Sequence, residues 1–434
     1  MPTTSTSPNI ATGHYDLSAF SSQKKPKHHL FSLGVIHLAL ALTEDVRIGN
    51  RTAERLMRTI ARYMKDVIRT PCYNSIRSYS AKRGQYCLQS RYSTAVKGGC
   101  WCIIADLSIR VGKQRILLVL GVDLTAYDFC MPLTFSDIKV LAMGIKEEKS
   151  WTGQSIAHFI KVNVLDNYEV IYAVTDGGAN LINAMRRLKL ERIDDVGHAM
   201  ARLLKKAYGN KEIFEKFIVK VAHMRKYKAV GGDRHMKPEK LRGTARFMNI
   251  GPLVDWAVEA CKALDSGGRV NFKSKPLTAE RRAKLVWLEG FRPLVKELQA
   301  TFHFLNNIQS AIKSEGINQA VARRILKWLK YDMAAQRVKP PIITGIKKYL
   351  EEQLAACQRL GLETVLASSD ILESIFGHYK ESALRYDRVT QYSLRMAIYG
   401  NDLGGMEHVE AMMQQNTNAE LRDWVANILI CDNI

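Results

Sequence analysis

The chain has 434 residues, of which 47% are hydrophobic, and a net charge of +22. Its length exceeds the size at which one hydrophobic core usually keeps growing, so we expect two to four domains that fold without disulfides. The eight cysteines lack the paired CxxC spacing of a tetrahedral zinc site, and no apolar run approaches the ~20 residues of a membrane-spanning helix; both absences favour a soluble intracellular protein.

The positive charge is unevenly distributed along the chain. Residues 1–100 carry a net charge of +10 and residues 201–345 carry +18, whereas residues 101–200 are near neutral at −1 and residues 346–434 are acidic at −5. Such blocks are typical of a protein that holds a polyanion with its basic parts. Nucleic acid is therefore the expected partner, and the alternative is a basic surface that only aids solubility.

The N-terminal region combines a polar tail with three predicted helices. Residues 1–29 are rich in Ser, Thr and Pro, which predicts a disordered tail. Hydrophobic periodicity over 31–42 and 51–68 predicts two helices. A third helix starts near Thr70, which can cap it, and stops at Gly84.

Three short helices within residues 30–92 favour a helix-turn-helix domain whose last helix enters a major groove of DNA. The candidate DNA contacts on that helix are Arg77, Lys82 and Arg83. The second helix carries further basic residues largely off its apolar stripe. The alternative is an ordinary small helical domain, because trihelical packing alone is weakly specific.

Residues 98–208 predict a mixed α/β sheet. The runs 101–109 and 115–124 are rich in β-forming residues and are separated by a hairpin signal. A helix over 152–165 and a buried strand over 169–175 follow. Strands first in a hairpin and then alternating with helices indicate mixed strand directions.

Residues 209–360 predict a large, basic, all-helical insertion. Helical periodicity recurs here and just before it, at 199–207, 212–228, 252–264, 280–299, 302–314, 317–334 and 343–360. Trp256 and Trp287 are candidates for stacking on an unpaired base, although core packing is the commoner role of tryptophan. Residues 361–434 would complete the α/β core with one amphipathic helix and end in a helical tail.

Three carboxylates stand out against this framework. Asp106 lies within the apolar run of a predicted strand, where burial of a carboxylate is costly unless it is paired or metal-bound. Asp176 ends its strand at the edge where open α/β sheets gather ligands. Glu373 lies in the late amphipathic helix, with Gly377 and Lys380 farther along the same face. The alternatives are a structural role for Asp106, a turn-forming or helix-capping role for Asp176, and a solvated Glu373.

Displacement at a phosphodiester calls for two hard divalent ions roughly 3.5 to 4 Å apart. Carboxylates are suitable ligands for such ions, Mg²⁺ in particular. Two strands and a nearby helix can supply three of them from positions far apart in sequence. Asp106, Asp176 and Glu373 are therefore the predicted ligands of two Mg²⁺ or Mn²⁺ ions.

Four segments together resemble the DDE transposases of the RNase H-like, retroviral-integrase superfamily, of the bacterial insertion-sequence type. They are WCIIADLSI at 101–109, TDGGANL at 175–181, DDVGH at 194–198 and SSDILESIFGHYK at 368–380. The resemblance implies that Asp106, Asp176 and Glu373 are the three catalytic acids, with the helical insertion before the Glu. It also implies an Asp-x-x-His pair, Asp195 and His198, in which His198 braces the site or touches the scissile strand; a capping or packing histidine is the alternative.

One position departs from the pattern of the bacterial relatives. There an Arg precedes the Glu by four residues, where this chain has Ser369, whereas Lys380 matches the Lys that follows. The phosphate contacts of the missing Arg would then come from elsewhere. The basic insertion is the predicted source.

The resemblance implies a transposase that cuts and joins double-stranded DNA at transposon ends and target. It further implies a homodimer or higher oligomer on DNA, because two ends must be joined, in the cytoplasm and associated with the nucleoid. Two alternatives stay open: a catalytically silent DNA-binding regulator derived from a transposase, and a structure-specific RNase H-like nuclease.

Overall fold

The structure is a computed structural model that describes residues 24–27, 29–63, 69–90, 99–108, 110–226, 231–239, 247–248, 250–266, 271–333, 335–383, 391–401, 403–415 and 417–426. Most of the tail predicted over 1–29, and the end of the helix predicted over 51–68, lie outside these residues. No helix in the described ranges is both long and apolar enough to cross a membrane.

The centre of the molecule is a mixed sheet of five strands in the described residues. They are β1 Cys100–Leu107, β2 Gln114–Asp123, β3 Ile138–Glu147, β4 Glu169–Thr175 and β5 Glu191–Asp194, in the order β3-β2-β1-β4-β5. β2 pairs antiparallel with β1 and β3, whereas β4 pairs parallel with β1 and β5. The predicted mixed α/β class is confirmed.

Two of these strands escape the sequence prediction. The hairpin of β1 and β2 and the later strand β4 form where the apolar runs predict them. The segment of β3, IKVLAMGIKE, contains Lys, Ala, Met and Gly, which weaken its β signal. β5 has only four residues, too few to show a period.

Helices cover both faces of the sheet. They are α4 Gly153–Ile160, α5 Ala179–Leu188, α6 Val196–Tyr208, α12 Pro340–Leu360 and α13 Asp370–Ala383. Ile103 and Ala105 of β1 pack in the core formed with α4 and α5, whereas Cys102 and Ile104 belong to the core that includes α6, α12 and α13. Because side chains alternate along a strand, Asp106 shares the face of Cys102 and Ile104.

The outer edge of β5 is covered by a helix rather than by another strand. The hydroxyl of Tyr349 on α12 donates to the backbone oxygen of Asp194 at 2.9 Å. The side-chain oxygen of Gln353 accepts from the backbone N–H of Asp194 at 3.0 Å. These bonds satisfy an edge that would otherwise be open to pairing. The last helix of the predicted insertion thus packs directly on the sheet.

The region between α6 and α12 is built from helices as far as it is described. They are α7 Glu212–Lys226, α8 Gly251–Asp265, α9 Ala279–Leu285, α10 Arg292–Glu315 and α11 Gln319–Tyr331. The predicted break near residue 300 is wrong, because α10 is continuous there. The chain instead breaks in a 3-10 turn over 286–291, just before Pro293 in the first turn of α10, a position that proline favours.

Trp256 does not offer its ring to a base. It is 1% exposed, its indole N–H donates to the backbone oxygen of Met236 at 3.2 Å, and it stacks on Trp287 with ring centroids 6.4 Å apart. The commoner alternative, core packing, is therefore the role of Trp256.

The N-terminal helices share one apolar core with the end of the described chain. The helices of this core are α1 Leu33–Glu44, α2 Asn50–Tyr63, α3 Tyr73–Ser90 and α14 Met406–Gln415. The helix α15 Asn418–Trp424 contacts α3. Ile36 and Leu40 of α1 lie in one cluster with Met412 and Met413 of α14. A 3-10 segment over 391–398 packs along α3.

This packing buries two of the predicted DNA contacts. Lys82 and Arg83 are 2% and 1% exposed. The Arg83 guanidinium lies 2.7 Å from Nε2 of His408 and 3.7 Å from a carboxylate oxygen of Glu44. This burial argues against the prediction that Lys82 and Arg83 contact DNA, whereas Arg77, the third predicted contact on α3, stays partly exposed. Periodicity cannot reveal that residues from the other end of the chain cover a polar helix face.

Two mid-helix glycines should respond to the same substitution with opposite signs. The helix α3 continues past the predicted stop at Gly84, where a Cβ would overlap the backbone carbonyl of Leu394. A Cβ at Gly377 meets nothing within 4 Å. We expect Gly84→Ala to lower the free energy of unfolding by about 2 kcal/mol or more, and Gly377→Ala to raise it by up to ~1 kcal/mol. Urea denaturation of both variants measures this. Equal shifts would contradict the packing of 391–398 on α3.

Candidate active site

Two of the predicted acids meet at one edge of the sheet. Ala105 of β1 lies beside Thr175 of β4 in the parallel register. Asp106 and Asp176 are the residues that follow, so the two carboxylates lie side by side at the carboxyl ends of adjacent strands. Ligands of open α/β sheets gather at this edge.

The surroundings of Asp106 disfavour its charged form. Its Oδ1 accepts a 2.6 Å hydrogen bond from the backbone N–H of Leu107, which favours the carboxylate. Burial, and then the charge of Asp176 with a smaller contribution from Glu373, outweigh that bond and raise the pKa of Asp106 to about 7. A cation that enters this edge therefore relieves a repulsion built into the fold.

A tight turn holds Asp176 in place. Its Oδ1 accepts from the backbone N–H of Gly178 at 2.9 Å. A Cβ at Gly177 would overlap the guanidinium of Arg202, which is ion-paired with Asp194. The glycines thus allow the chain to turn beneath an arginine directly after the second acid.

Asp195 begins α6 and orients His198. Its Oδ1 accepts from the backbone N–H of His198 at 2.7 Å, which caps the helix, and lies 2.9 Å from Nδ1 of the same residue. Asp195 itself is only 1% exposed. The imidazole is held by one nitrogen, so its Nε2 points elsewhere.

The other oxygen of Asp195 anchors the start of α13. Its Oδ2 accepts from the backbone N–H of Ser369 at 2.7 Å and from the Ser369 hydroxyl at 3.0 Å. The backbone N–H of Val196 also donates to the oxygen of Ala367 at 2.9 Å. Lys313 of α10 adds an ion pair with Asp370 at 2.5 Å. The start of α13 is thereby fixed to the start of α6.

This anchor brings Glu373 to the two aspartates. Glu373 lies one turn after Ser369, and its Oε1 is 3.9 Å from Nε2 of His198. Its charge contributes to the raised pKa of Asp106, so the Glu373 carboxylate lies within electrostatic range of that aspartate. The three acids, drawn from β1, the end of β4 and α13, are therefore neighbours on one side of the sheet.

His198 supplies positive charge among these acids. Burial alone lowers the pKa of His198, but the hydrogen bond and charge of Asp195, followed by the charges of Glu373 and Asp176, raise that pKa to about 9. The imidazole is thus protonated at neutral pH. It offsets part of the negative charge of the cluster.

The chemistry of this donor set suits a hard divalent cation. Carboxylates dominate it, and their mutual repulsion is incompletely offset by His198. In the described residues, however, no three His, Cys, Asp or Glu side chains surround one point closely enough to hold a metal as they stand. The Glu373 side chain is half-exposed, and its carboxylate lies 3.9 Å from Nε2 of His198.

The remaining predicted contacts lie around α13 and α3. Lys380 belongs to α13, but its side chain lies outside the described residues. Gly377, one turn after Glu373, leaves open space on the same face. Arg77 of α3 lies in the helical cluster of the chain ends rather than on the strands that carry the acids.

The dual role of Asp195 is the feature that sequence reasoning misses. The Asp-x-x-His spacing predicts the pair with His198, but nothing in it predicts the bonds to Ser369, 174 residues away. Ser369 anchors the helix of Glu373 through these bonds. A usable signal was the paired Ser368 and Ser369 at the start of an amphipathic run, which is typical of a helix start.

Removing the charge of Asp106 should stabilise the metal-free protein. Because its pKa is raised in the folded state, the contribution of Asp106 to stability is present below pH ~4 and is lost as the pH rises through about 7. We expect Asp106→Asn to exceed the wild type in free energy of unfolding by on the order of 2 kcal/mol at pH 8 in EDTA, with little difference at pH 4.

Urea denaturation at both pH values measures this difference. Glu351→Gln, an exposed acid on α12, is the matched control and should show no such change. A deficit in Asp106→Asn at pH 8 would contradict the electrostatic description of the site.

No protein-family model matches the chain, and no curated protein matches it. Among solved structures, the chain is similar to a Drosophila P element transposase strand transfer complex at 12% sequence identity and a TM-score of 0.40, over 91% of this chain and 94% of that one. That score is too low for the likeness to bear on the fold or the chemistry of this chain.

Proposed function

We propose that this chain is a DNA transposase with an RNase H-like core, in which Asp106, Asp176 and Glu373 carry metal-dependent phosphoryl transfer. The observation that supports the proposal is the meeting of two aspartates at the ends of β1 and β4, with Glu373 held near His198 on the helix that the Asp195 to Ser369 bonds anchor. Structural, turn-forming or solvated roles would explain each acid separately, but they would not explain why the three acids are neighbours.

Divalent cations such as Mg²⁺ or Mn²⁺ supply activation of the attacking oxygen and stabilisation of the leaving oxygen when they are bound. Asp106 and Asp176 would hold them from the strand ends, and Glu373 from α13. The charge repulsion that raises the pKa of Asp106 is what such binding relieves.

Asp195 and His198 would hold other groups in place and would not react themselves. Asp195 holds Nδ1 of His198, so Nε2 is the ring nitrogen available to Glu373 or to a phosphate oxygen. Protonated His198 would then favour a phosphodiester at this edge by its charge. Positioning and charge neutralisation account for most of the catalysis of phosphoryl transfer.

The proposed reaction is two transfers of one kind. Water attacks the phosphodiester at an element end and releases a 3′-hydroxyl. That hydroxyl attacks a phosphodiester of the target DNA and displaces a new 3′-hydroxyl, so one bond forms for each that breaks. Two ends must be joined, so the working form would be a homodimer or larger assembly on double-stranded DNA.

Incubation of the full chain with DNA that flanks its own gene tests this function, with Mg²⁺ or EDTA as the variable. Cleavage together with joined products, both dependent on Mg²⁺, is the expected result. Cleavage without joining would replace the proposal by a structure-specific nuclease of the same fold. Binding without cleavage would replace it by a silent DNA-binding regulator.

A further inference from the structure

Helix α2 presents a row of arginines on the side away from the core. Its residues Arg51, Arg55, Arg58 and Arg62 fall within about 60° of arc at 100° per residue, over roughly 16 Å of helix. All four are exposed, whereas the buried positions Ala53 and Met57 lie on nearly the opposite side. The row is therefore a flat, solvent-facing cationic surface.

Little negative charge offsets this row. The one acid in the helix sequence is Glu54, which pairs with Arg58 at 2.6 Å and also accepts from the backbone N–H of Tyr73 at 3.1 Å. The guanidinium of Arg51 lies 5.1 Å above the ring of Tyr73. Such stacking holds an arginine in place but leaves its charge. The net charge of α2 is strongly positive.

Because Lys82 and Arg83 of α3 are buried, the α2 row is the largest group of exposed cations on the described N-terminal helices. α3 encloses Lys82 and Arg83 against residues from the far end of the chain. Thr52 beside the arginine row is exposed as well, and a hydroxyl group can also donate to phosphate. The row itself offers guanidinium donors with regular spacing along one line.

We infer that the α2 arginine row binds the phosphate backbone of double-stranded DNA. The inference rests on the proposed function for the biological origin of the DNA, but its physical basis is charge complementarity with a polyanion. Phosphate contacts from arginine position a protein on DNA without reading sequence, so the row sets affinity and register rather than specificity. The DNA-contacting helix of this region is α2 and not α3.

The test compares two double variants of equal charge change in the full chain. Arg55→Gln with Arg62→Gln removes two of the row members that are not paired with Glu54, and Arg186→Gln with Arg187→Gln removes two exposed arginines from α5, outside the basic regions of the chain. The probe is a labelled 30-base-pair duplex of arbitrary sequence, followed by fluorescence anisotropy from 50 to 300 mM NaCl. Circular dichroism checks that each variant is folded.

We expect the α2 variant to bind at least 10-fold more weakly near 0.1 M salt, and its slope of log affinity against log salt to fall by about 2, near 0.9 per lost phosphate contact. The α5 variant should change neither quantity as much. Equal losses in both variants, or wild-type binding by a folded α2 variant, would overturn the inference. The inference would also be overturned if the α2 variant lost binding to anionic lipid vesicles but kept wild-type binding to DNA.

The DNA-binding test does not depend on whether the protein cleaves DNA. DNA affinity is measured in EDTA, whereas the proposed function is read from Mg²⁺-dependent cleavage. A chain that binds through α2 but never cleaves would keep this inference and sink the proposed function. If the wild type cleaves DNA and the α2 variant binds DNA normally, the proposed function stands and this inference is overturned.

Discussion

We expect Asp106→Asn to lower the rate of Mg²⁺-dependent cleavage of the flanking DNA by about 10³-fold or more. One metal ligand contributes several kcal/mol to the stabilisation of the transition state. Asn keeps the size of the side chain and its place on β1 but loses the charge that Asp106 presents to the site. DNA binding in EDTA should stay at the wild-type level. A denaturing gel of end-labelled DNA measures the cleavage rate.

Asp123→Asn is the matched control for that experiment. Asp123 lies in the same hairpin but opposite Trp101, at the far end of β1 from Asp106. Its variant should cleave at the wild-type rate. Wild-type cleavage by Asp106→Asn would remove Asp106 from the reaction, and equal losses in both variants would show only that the hairpin is fragile.

Asp195→Ala should cost both stability and activity. The substitution leaves the backbone N–H groups of His198 and Ser369 without their buried acceptor, and it frees the His198 ring. Removing a buried charged partner of this kind lowers the free energy of unfolding by about 3 kcal/mol. We expect cleavage to fall by about 10²-fold as well, because loss of the anchor displaces Glu373 and small misplacements of this kind cost that much.

Two serines of α13 separate these effects. Ser369→Ala removes one bond to Asp195 and should reduce cleavage and stability less than Asp195→Ala does. Ser374→Ala removes a bond to the backbone oxygen of Asp370 on the exposed side of the helix and should leave cleavage unchanged. Wild-type cleavage by a folded Asp195→Ala protein would show that the anchor does not position Glu373.

The strand positions of both aspartates are predictable because long apolar runs define β1 and β4, and each acid falls at a fixed place relative to its run. Glu373 is different. Its helix has an ordinary amphipathic pattern, and only the resemblance of the segment around it selects this glutamate from the others. The physical link to the sheet, the Asp195 to Ser369 bonds, is formed between segments that no local pattern relates.

The basic residues of α3 show how a local pattern can mislead. Its Arg77, Lys82 and Arg83 resemble a DNA-reading face when only residues 30–92 are considered. The segment 391–398 and the helices α14 and α15 then cover much of that face. Burial of a cation depends on distant residues, whereas exposure of the arginines on α2 follows from a clean helical period. Local patterns therefore predict the arginine row but not the fate of Lys82.

The shared core of the two chain ends has a consequence for biosynthesis. α1 to α3 leave the ribosome roughly 300 residues ahead of α14, which at 5–20 residues per second is a delay of about 15 to 60 s. During that interval the apolar faces of Ile36 and Leu40 lack the methionines that later cover them. The helices α1 to α3 are thus made well before they reach their final packing, and part of their apolar surface stays uncovered in the nascent chain until α14 has been made.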